Sequence, residues 1–278
     1  MSILHPIQPI KENNRIDTCF ESLKVKNKCA LITFITAGDP MLEDTVKLMH
    51  VMSNNGVDII ELGVPFSDPM ADGPTIQRSS DRAVKSGVSL VYILEIVEKF
   101  RQVNQHTPIV LMGYANTFNF YENKIGTNNL AVQMHKAGID GILLVDMPPE
   151  SDKQASIFKE HNIYRIYIVS PTTTPHRIEY INKNANGFIY YVSVKGVTGS
   201  KAINTSELAN SLPALQEKIN LPIAVGFGID NAQKAKEVAQ YAQGIVIGSK
   251  IINLLEASDK NHQEEVLKVF LQEITNVI

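Results

Sequence analysis

The run V-D-I-I-E-L at 57–62 is short, apolar and rich in β-branched residues, and the turn-rich stretch G-V-P-F-S-D-P-M-A-D-G-P-T follows it at 63–75. Seven more runs of this kind recur along the chain. They begin at Ala30, Pro108, Gly141, Tyr164, Gly187, Pro222 and Gly244. Such nearly continuous apolar runs are typical of strands that are buried on both faces of a parallel sheet.

Helical patterns separate these runs. Apolar residues between Leu90 and Phe100 have helical spacing, with Ser89 placed as the N-cap. Other helices are predicted near 41–54, 128–137, 151–161, 175–184, 205–219 and 231–242, with one or two after 250. The repeated alternation of strand and helix predicts an α/β fold, a (β/α)8 TIM barrel that forms a single domain over residues 1–278. The main alternative is an open doubly wound sheet, although no G-x-G-x-x-G motif follows the first run.

Two further features concern helices outside the regular alternation. The segment near 11–26 is amphipathic and predicts an N-terminal helix that covers the bottom of the barrel. The runs at 57 and 108 are separated by nearly twice the usual spacing, which predicts a long loop at 63–74 and an extra helix. In a barrel, long loops after strands lie on the face where chemistry takes place.

Composition and charge exclude several classes of function. The chain has 26 Lys and Arg against 29 Asp and Glu, for a net charge of −3. This balance provides no basic field for nucleic acid or for a membrane surface. No apolar run is long enough to cross a membrane, and two cysteines, Cys19 and Cys29, cannot form a disulfide framework. We therefore expect a cytoplasmic globular protein.

Two acidic residues are candidates for proton transfer. Glu61 lies at the end of its strand, so it should point into the barrel mouth, where apolar walls raise a carboxyl pKa. Asp72 lies in the loop that follows. Asp68 precedes it by four residues, and either aspartate could instead serve only to form a turn. Glu61 could likewise be a structural residue that pairs with a lysine or arginine at the rim of the barrel.

Glycines after the last three predicted strands indicate an anion site. They occur in G-V-T-G at 196–199, G-F-G at 226–228 and G-S at 248–249. Glycine allows backbone N–H groups to approach an anion closely, and a helix that begins at Ser249 would add its positive end. Loops after strands 7 and 8 commonly bind phosphate in barrel enzymes. The pattern predicts a phosphate-bearing ligand.

The residues that metal-dependent, Schiff-base and cysteine-nucleophile enzymes need do not lie at the ends of the predicted strands. The histidines do not follow the predicted strands, which argues against a histidine-ligated metal site. No lysine ends a predicted strand, and neither cysteine is placed as a nucleophile. We therefore expect acid–base catalysis by carboxyl groups on a phosphorylated small molecule, without a metal or a cofactor.

Six motifs together resemble the tryptophan synthase alpha chain family. The longest is E-L-G-V-P-F-S-D-P-M-A-D-G-P-T-I-Q at 61–77, which resembles the signature of that family. The others are F-I-T-A-G-D-P at 34–40, M-G-Y-A-N at 112–116, Y-Y-V-S-V-K-G-V-T-G at 190–199, G-F-G-I at 226–229 and I-G-S at 247–249. The resemblance extends along most of the chain.

The resemblance implies a lyase that cleaves indole-3-glycerol phosphate to indole and glyceraldehyde 3-phosphate in a retro-aldol reaction. By matching position, Glu61 and Asp72 are its catalytic carboxyl groups. Ionised Asp72 would hold the indole N–H, and Glu61, with an elevated pKa, would protonate C3 and take the glycerol hydroxyl proton. The remaining matches are Phe34, Met112, Tyr190 and Phe227 around the indole and glycerol groups, Gly199, Gly228, Gly248 and Ser249 at the phosphate, and Thr198 in a closing loop.

The resemblance also implies a partner. Alpha chains of this family pair with a beta chain that carries pyridoxal phosphate, in an α2β2 heterotetramer, so this chain would need no cofactor of its own. Pro65, Asp68 and Asn116 would face the beta chain. The chain departs from common family residues at Thr33, Met70, Met112, Gly113 and Lys195, none of which is a catalytic carboxyl group.

Three alternatives remain beside the lyase subunit. The first is a sugar-phosphate isomerase or epimerase built on the same phosphate-binding barrel. The second is a binding module that holds indole-glycerol phosphate mainly to regulate a partner. The third is a lyase that releases indole without any partner, which sequence does not distinguish from the subunit.

Overall fold

Eight parallel strands close into a barrel in chain order in the computed structural model, which describes residues 13–192, 205–226 and 228–278. The strands are β1 (Ala30–Thr36), β2 (Ile59–Gly63), β3 (Ile109–Gly113), β4 (Gly141–Leu144), β5 (Tyr164–Val169), β6 (Ile189–Val192), β7 (Ile223–Gly226) and β8 (Gly244–Ile247). Strand β8 pairs with β1, with Gly244 opposite Ala30. This pairing confirms the (β/α)8 barrel, and the open doubly wound sheet is wrong.

Twelve α-helices are described around these strands. They are α1 (Arg15–Lys26), α2 (Thr45–Asn54), α3 (Pro74–Lys85), α4 (Leu90–Arg101), α5 (Ala115–Ile125), α6 (Thr127–Ala137), α7 (Ala155–Glu160), α8 (Pro175–Asn184), α9 (Thr205–Gln216), α10 (Ala232–Ala239), α11 (Ser249–Ala257) and α12 (Gln263–Thr275). Helices α3 and α4 both lie between β2 and β3, which confirms the extra helix predicted there. The Ser89 hydroxyl caps α4 by accepting from the Tyr92 backbone N–H. No helix in the described ranges is long and apolar enough to cross a membrane.

Helix α5 was not predicted from the sequence. Its residues, A-N-T-F-N-F-Y-E-N-K-I, include asparagine and threonine, which have low helix propensity. Tertiary contacts stabilise it instead. The Ala115 backbone N–H donates to Asp146 Oδ1 at 2.8 Å, and Phe118 is buried against the barrel. Helix α7 is also shorter than predicted.

Helix α1 covers the amino-terminal end of the barrel, as predicted. Ile16, Phe20 and Leu23 are buried and pack against the innermost residues of the strands. Asn14, the N-cap of α1, donates from Nδ2 to the backbone oxygens of Asp140 and Asn162. Apolar side chains of α1 therefore cover the amino-terminal end of the barrel. The hydrogen bonds of Asn14 link the start of α1 to the segments that precede β4 and β5.

The alternation of side chains along the strands determines what lies at the top of the barrel. The inward residues of the lower layer are buried together and include Ala30, Ile32, Ile59, Val110, Leu143, Ile166, Phe188, Ala224 and Val246. Side chains of a strand alternate between its two faces, so positions two residues further along point inward as well. On β1, β2, β3 and β6 these positions hold Phe34, Glu61, Met112 and Tyr190. The strand order therefore places an acid and two aromatic rings at the carboxyl end of the interior.

Candidate active site

Glu61 is a buried acid without a hydrogen-bond partner. Its side chain is fully buried, and neither carboxyl oxygen has a partner among the described residues. Burial disfavours the charged form, because the low-polarity interior does not replace the hydration of a carboxylate. It raises the pKa of Glu61 to about 8, as the sequence led us to expect. At neutral pH this group holds a proton that it can donate.

Asp72 lies at the end of the loop that joins β2 to α3. Its backbone N–H donates to the Pro69 oxygen at 3.0 Å, and its own backbone oxygen accepts from Gln77 Nε2 at 2.8 Å. Helix α3 begins two residues later, at Pro74, whose fixed φ suits the first turn of a helix. These contacts fix the backbone on both sides of the carboxyl group.

The Asp72 carboxyl group is ionised more easily than that of Glu61. Burial raises the pKa of Asp72 to about 6, while a hydrogen bond from the Tyr114 hydroxyl opposes this shift. Tyr114 donates to Asp72 Oδ2 at 2.9 Å and accepts from the Ala71 backbone N–H at 2.9 Å. Near neutral pH the two acids therefore favour opposite protonation states, which is a common basis for dividing acid and base roles.

Tyr114 is a site residue that sequence reasoning missed. It follows β3 directly, and its ring stacks on Phe66 with centroids 5.1 Å apart. Its only sequence signal is a tyrosine at the end of a predicted strand, inside the M-G-Y-A-N motif. Its hydrogen bond joins positions 42 residues apart, which no local pattern reveals.

A small cavity lies beside Asp72 and Tyr114. Its walls are mainly apolar and include two residues predicted for the site, Phe34 and Met112. The other lining residues are Thr36, Gly63, Val64, Pro65, Ile76, Ser80, Gly113 and Val145. Gly63 leaves room for the neighbouring ring, because a Cβ there would lie 2.5 Å from the Phe34 ring. Mainly apolar walls of this kind are typical of sites that bind apolar parts of small molecules.

Tyr190 lies close to both acids. The charges of Glu61 and Asp72 add to burial in raising the pKa of Tyr190 well above its usual value. Its hydroxyl passes directly over Gly226, where a Cβ would lie only 2.2 Å from the oxygen. The glycine at the end of β7 thus leaves room for the tyrosine ring, and it is also the first residue of the G-F-G stretch predicted to bind an anion. Four predicted site residues, Phe34, Glu61, Asp72 and Tyr190, meet at one end of the barrel.

The predicted phosphate residues lie after β7 and β8. Gly248 is the N-cap of α11, which begins at Ser249 as predicted, and Gly228 has a positive φ of 69°. The first backbone N–H groups of a helix have no partner within it, so they can bind an anion. Gly248 also packs closely against Phe34, which ties this helix start to the apolar cavity. Thr198, Gly199 and Phe227, together with Lys195, lie outside the described residues.

The residues expected to face a partner differ in exposure. Asp68 and Asn116 are exposed, whereas Pro65 is buried and lines the cavity. Burial of Pro65 within this chain means that it can support the loop but presents little surface to another protein. Met70 and Phe120, on the same two connections, are 66% and 61% exposed.

The described histidine, cysteine and acidic side chains form no group of three or more that could hold a metal ion.

Two departures from common family residues have structural consequences. The Thr33 hydroxyl contacts Met52 Sδ at 3.3 Å in the core. Gly113 is closely covered by Val64 and Phe118, so a side chain there would displace them.

Comparison with known proteins assigns the family. The family model described as "Tryptophan synthase alpha chain" matches residues 20–277. The chain belongs to the tryptophan synthase alpha chain family. It is therefore a lyase of tryptophan biosynthesis, whose reaction is the cleavage of indole-3-glycerol phosphate. This assignment argues against the isomerase or epimerase alternative.

Individual relatives agree with this assignment. The tryptophan synthase alpha chain of Cupriavidus pinatubonensis is 46% identical over 266 residues, which are 95% of this chain and 99% of that protein. The alpha chain of Burkholderia ambifaria is 45% identical over 265 residues, 94% of this chain and 95% of that protein. Among solved structures, the alpha subunit from Legionella pneumophila superposes with a TM-score of 0.89 at 38% identity, covering 96% of this chain and 99% of that one. A chain of the tryptophan synthase complex from Pyrococcus furiosus gives a TM-score of 0.80 at 32% identity, covering 90% and 99%.

Proposed function

We propose that Glu61 and Asp72 carry out the retro-aldol cleavage of indole-3-glycerol phosphate in the mouth of this barrel. The observation that carries the proposal is the pair of buried acids, Glu61 and Asp72, that lie near Tyr190 at one end of the barrel interior. Burial raises the pKa of Glu61 to about 8 and that of Asp72 to about 6. The reaction needs a proton donor and a stabilising negative charge at the same time. The two acids can supply both at one pH.

Glu61 is the proton shuttle in this proposal. It delivers a proton to C3 of the indole ring, which makes the ring nitrogen electron-deficient. The bond between C3 and the glycerol carbon then breaks, and its electrons return to the ring. Glu61 takes back the proton of the glycerol hydroxyl as the aldehyde forms, so the acid is regenerated and the products are indole and glyceraldehyde 3-phosphate.

Asp72 stabilises the positive charge that develops on the indole N–H. Its carboxylate accepts a hydrogen bond from Tyr114, which favours the ionised form and orients Oδ2. The Ala71 N–H donates to the same tyrosine oxygen, so the hydroxyl proton is directed at the carboxylate. We propose Tyr114 as the residue that positions Asp72.

Other predicted residues bind the two ends of the substrate. Phe34 and Met112 are proposed to contact the indole ring and Tyr190 the glycerol portion, because apolar and aromatic walls bury a flat ring favourably. Gly228, Gly248 and Ser249 are proposed to hold the phosphate at the start of α11. The same roles are proposed for Phe227 at the ring and Gly199 at the phosphate, with Thr198 closing a loop over Asp72.

We further propose a beta chain as partner, in an α2β2 complex. The comparison supports this, since the Pyrococcus furiosus structure is described as a tryptophan synthase complex. Exposed Asp68, Met70, Asn116 and Phe120 provide a mixed polar and apolar surface beside the mouth of the barrel. Pyridoxal phosphate would belong to the beta chain, and this chain would need no cofactor or metal. The single domain over 1–278 and the cytoplasmic location belong to the same proposal, supported by the packing of α1 into the barrel and by the free thiols of Cys19 and Cys29.

The test is product analysis with purified chain and indole-3-glycerol phosphate. We expect indole and glyceraldehyde 3-phosphate in equal amounts, and no turnover of ribulose 5-phosphate. Tight binding of indole-glycerol phosphate without product, alone and with a beta chain, would overturn the lyase and favour the binding module.

A further inference from the structure

Helices α3 and α11 are joined by polar contacts at three successive turns. Thr75 Oγ1 donates to Asn253 Oδ1 at 3.2 Å in the first turn of α3. Arg78 donates from Nη2 to Glu256 Oε2 at 2.9 Å and from Nε to Oε1 at 3.2 Å. Arg82 donates from Nη1 to Glu256 Oε1 at 2.8 Å. We call these five residues the α3–α11 seam.

The spacing of the seam residues makes it continuous. Positions 75, 78 and 82 lie on one face of α3, as do 253 and 256 on α11, because residues three, four and seven apart share a helix face. An apolar layer lies beneath the polar contacts. Ile76 of α3 and Ile252 of α11 pack together with Phe34 of the cavity wall. The two helices are therefore held together both by packing and by hydrogen bonds.

Arg82 extends the seam to a third element. Its guanidinium binds Asp39 with two hydrogen bonds, from Nε at 2.6 Å and from Nη2 at 3.0 Å. The Asp39 side chain is only 4% exposed and lies in the connection after β1. A two-point pair between a guanidinium and a carboxylate fixes orientation as well as distance. Arg82 is thus anchored on one side while it reaches α11 on the other.

The two helices start at opposite parts of the proposed site. Helix α3 begins two residues after Asp72, and α11 begins at Ser249, where the phosphate is proposed to bind. A ligand that holds the first turn of α11 therefore acts on a helix that is linked along its length to α3, which begins two residues after Asp72.

We propose that Arg78 and Arg82 are positioning residues that couple phosphate binding at α11 to the placement of Asp72. The coupling rests on the proposed function, since it requires the phosphate site at the start of α11. Phosphate restrains the start of α11, the seam passes this restraint to α3, and Asp72, which Tyr114 and its backbone contacts already orient, is held more firmly when phosphate is bound. Compounds without a phosphate group would then be cleaved poorly even at saturation.

The test removes the α11 side of the seam with the double substitution Asn253→Ala and Glu256→Ala. Both residues are exposed, and alanine is the best helix former, so α11 should remain folded. The Arg82–Asp39 pair stays intact. Hydrogen exchange is measured by mass spectrometry on the free chain and at saturating glycerol 3-phosphate. The matched control is Glu179→Ala, which removes an exposed ion pair with Lys183 on α8.

In the wild-type chain and in the control we expect glycerol 3-phosphate to slow exchange both at 248–252 and at 66–74. In the double variant we expect protection at 248–252 only. Its kcat should fall about fivefold, a typical size for coupling between sites, while its KM changes much less. A purely structural role would instead change the thermal midpoint and both kinetic constants.

Equal protection of 66–74 in the double variant and the wild type would overturn the coupling. So would a wild-type chain that is protected at 248–252 but not at 66–74. No protection at 248–252 in the wild type would overturn the proposed phosphate site, and the coupling with it.

Discussion

Ionisation of Glu61 should destabilise the folded chain as pH rises, and Glu61→Gln should remove this effect. Burial raises the pKa of this carboxyl from 4.5 to about 8. Between these two values the folded state holds a proton that the unfolded state has released. Stability therefore falls as pH increases through this window and levels off above the folded-state pKa.

The size of the effect follows from the two pKa values. Relative to its value at low pH, the free energy of unfolding is lowered by Glu61 by about 1 kcal/mol at pH 5 and by about 3 kcal/mol at pH 7. Each pKa unit of difference between the folded and unfolded states corresponds to about 1.4 kcal/mol. Glutamine has the same shape but does not titrate. Whatever free energy the burial of its amide costs or contributes, that amount does not change with pH. The free energy of unfolding of Glu61→Gln, relative to wild type, should therefore rise by about 2 kcal/mol from pH 5 to pH 7.

Urea unfolding followed by far-ultraviolet circular dichroism at a series of pH values measures this difference. The control is Glu95→Gln, which replaces an exposed acid on α4 and should keep the wild-type pH dependence. Parallel stability curves for Glu61→Gln and wild type between pH 5 and pH 8 would refute the reasoning, since Glu61 would then ionise as easily in the folded chain as in the unfolded one.

Two further substitutions test the surroundings of the acids. Tyr114→Phe removes the donor to Asp72 but keeps the stacked ring, so we expect about a tenfold loss in kcat/KM. The acid limb of the pH–rate profile should also move to higher pH, because loss of the hydrogen bond raises the pKa of Asp72. Tyr121→Phe on α5 is the control. An acid limb that does not move in Tyr114→Phe would contradict the role of Tyr114 in positioning Asp72. Gly226→Ala would place a methyl group against the Tyr190 hydroxyl, with a loss of about 1–3 kcal/mol in stability and reduced kcat. Denaturant unfolding measures the stability and steady-state kinetics measure kcat. Wild-type stability and kcat in Gly226→Ala would show that the Tyr190 ring can move away from the added methyl group.

The barrel could be predicted because its information is local. Each strand is a short apolar run, and burial on both faces of a closed parallel sheet requires that composition wherever the strand lies. Helix α1 followed from its own amphipathic spacing. Helix α5 did not, since its stability comes from Asp146 and from burial of Phe118, and both depend on the finished fold.

The site was predictable only in part for the same reason. Glu61 could be placed from its position at the end of a strand, and Asp72 from the family motif. The hydrogen bond between Tyr114 and Asp72 and the α3–α11 seam join residues that are distant in sequence. Pro65 was expected to face a partner, but packing buries it in the cavity wall, and no pattern in the loop indicates that burial.

Indole release from indole-3-glycerol phosphate is the most direct test of the central claim that Glu61 and Asp72 are the catalytic pair. Wild type, Glu61→Gln and Asp72→Asn should be compared with and without a beta chain, with Asp81→Asn on the exposed side of α3 as a control. We predict release by wild type and by the control, stimulation by the beta chain, and loss of release in both site variants. Wild-type rates in either variant, or wild type that forms no indole under both conditions, would contradict the account.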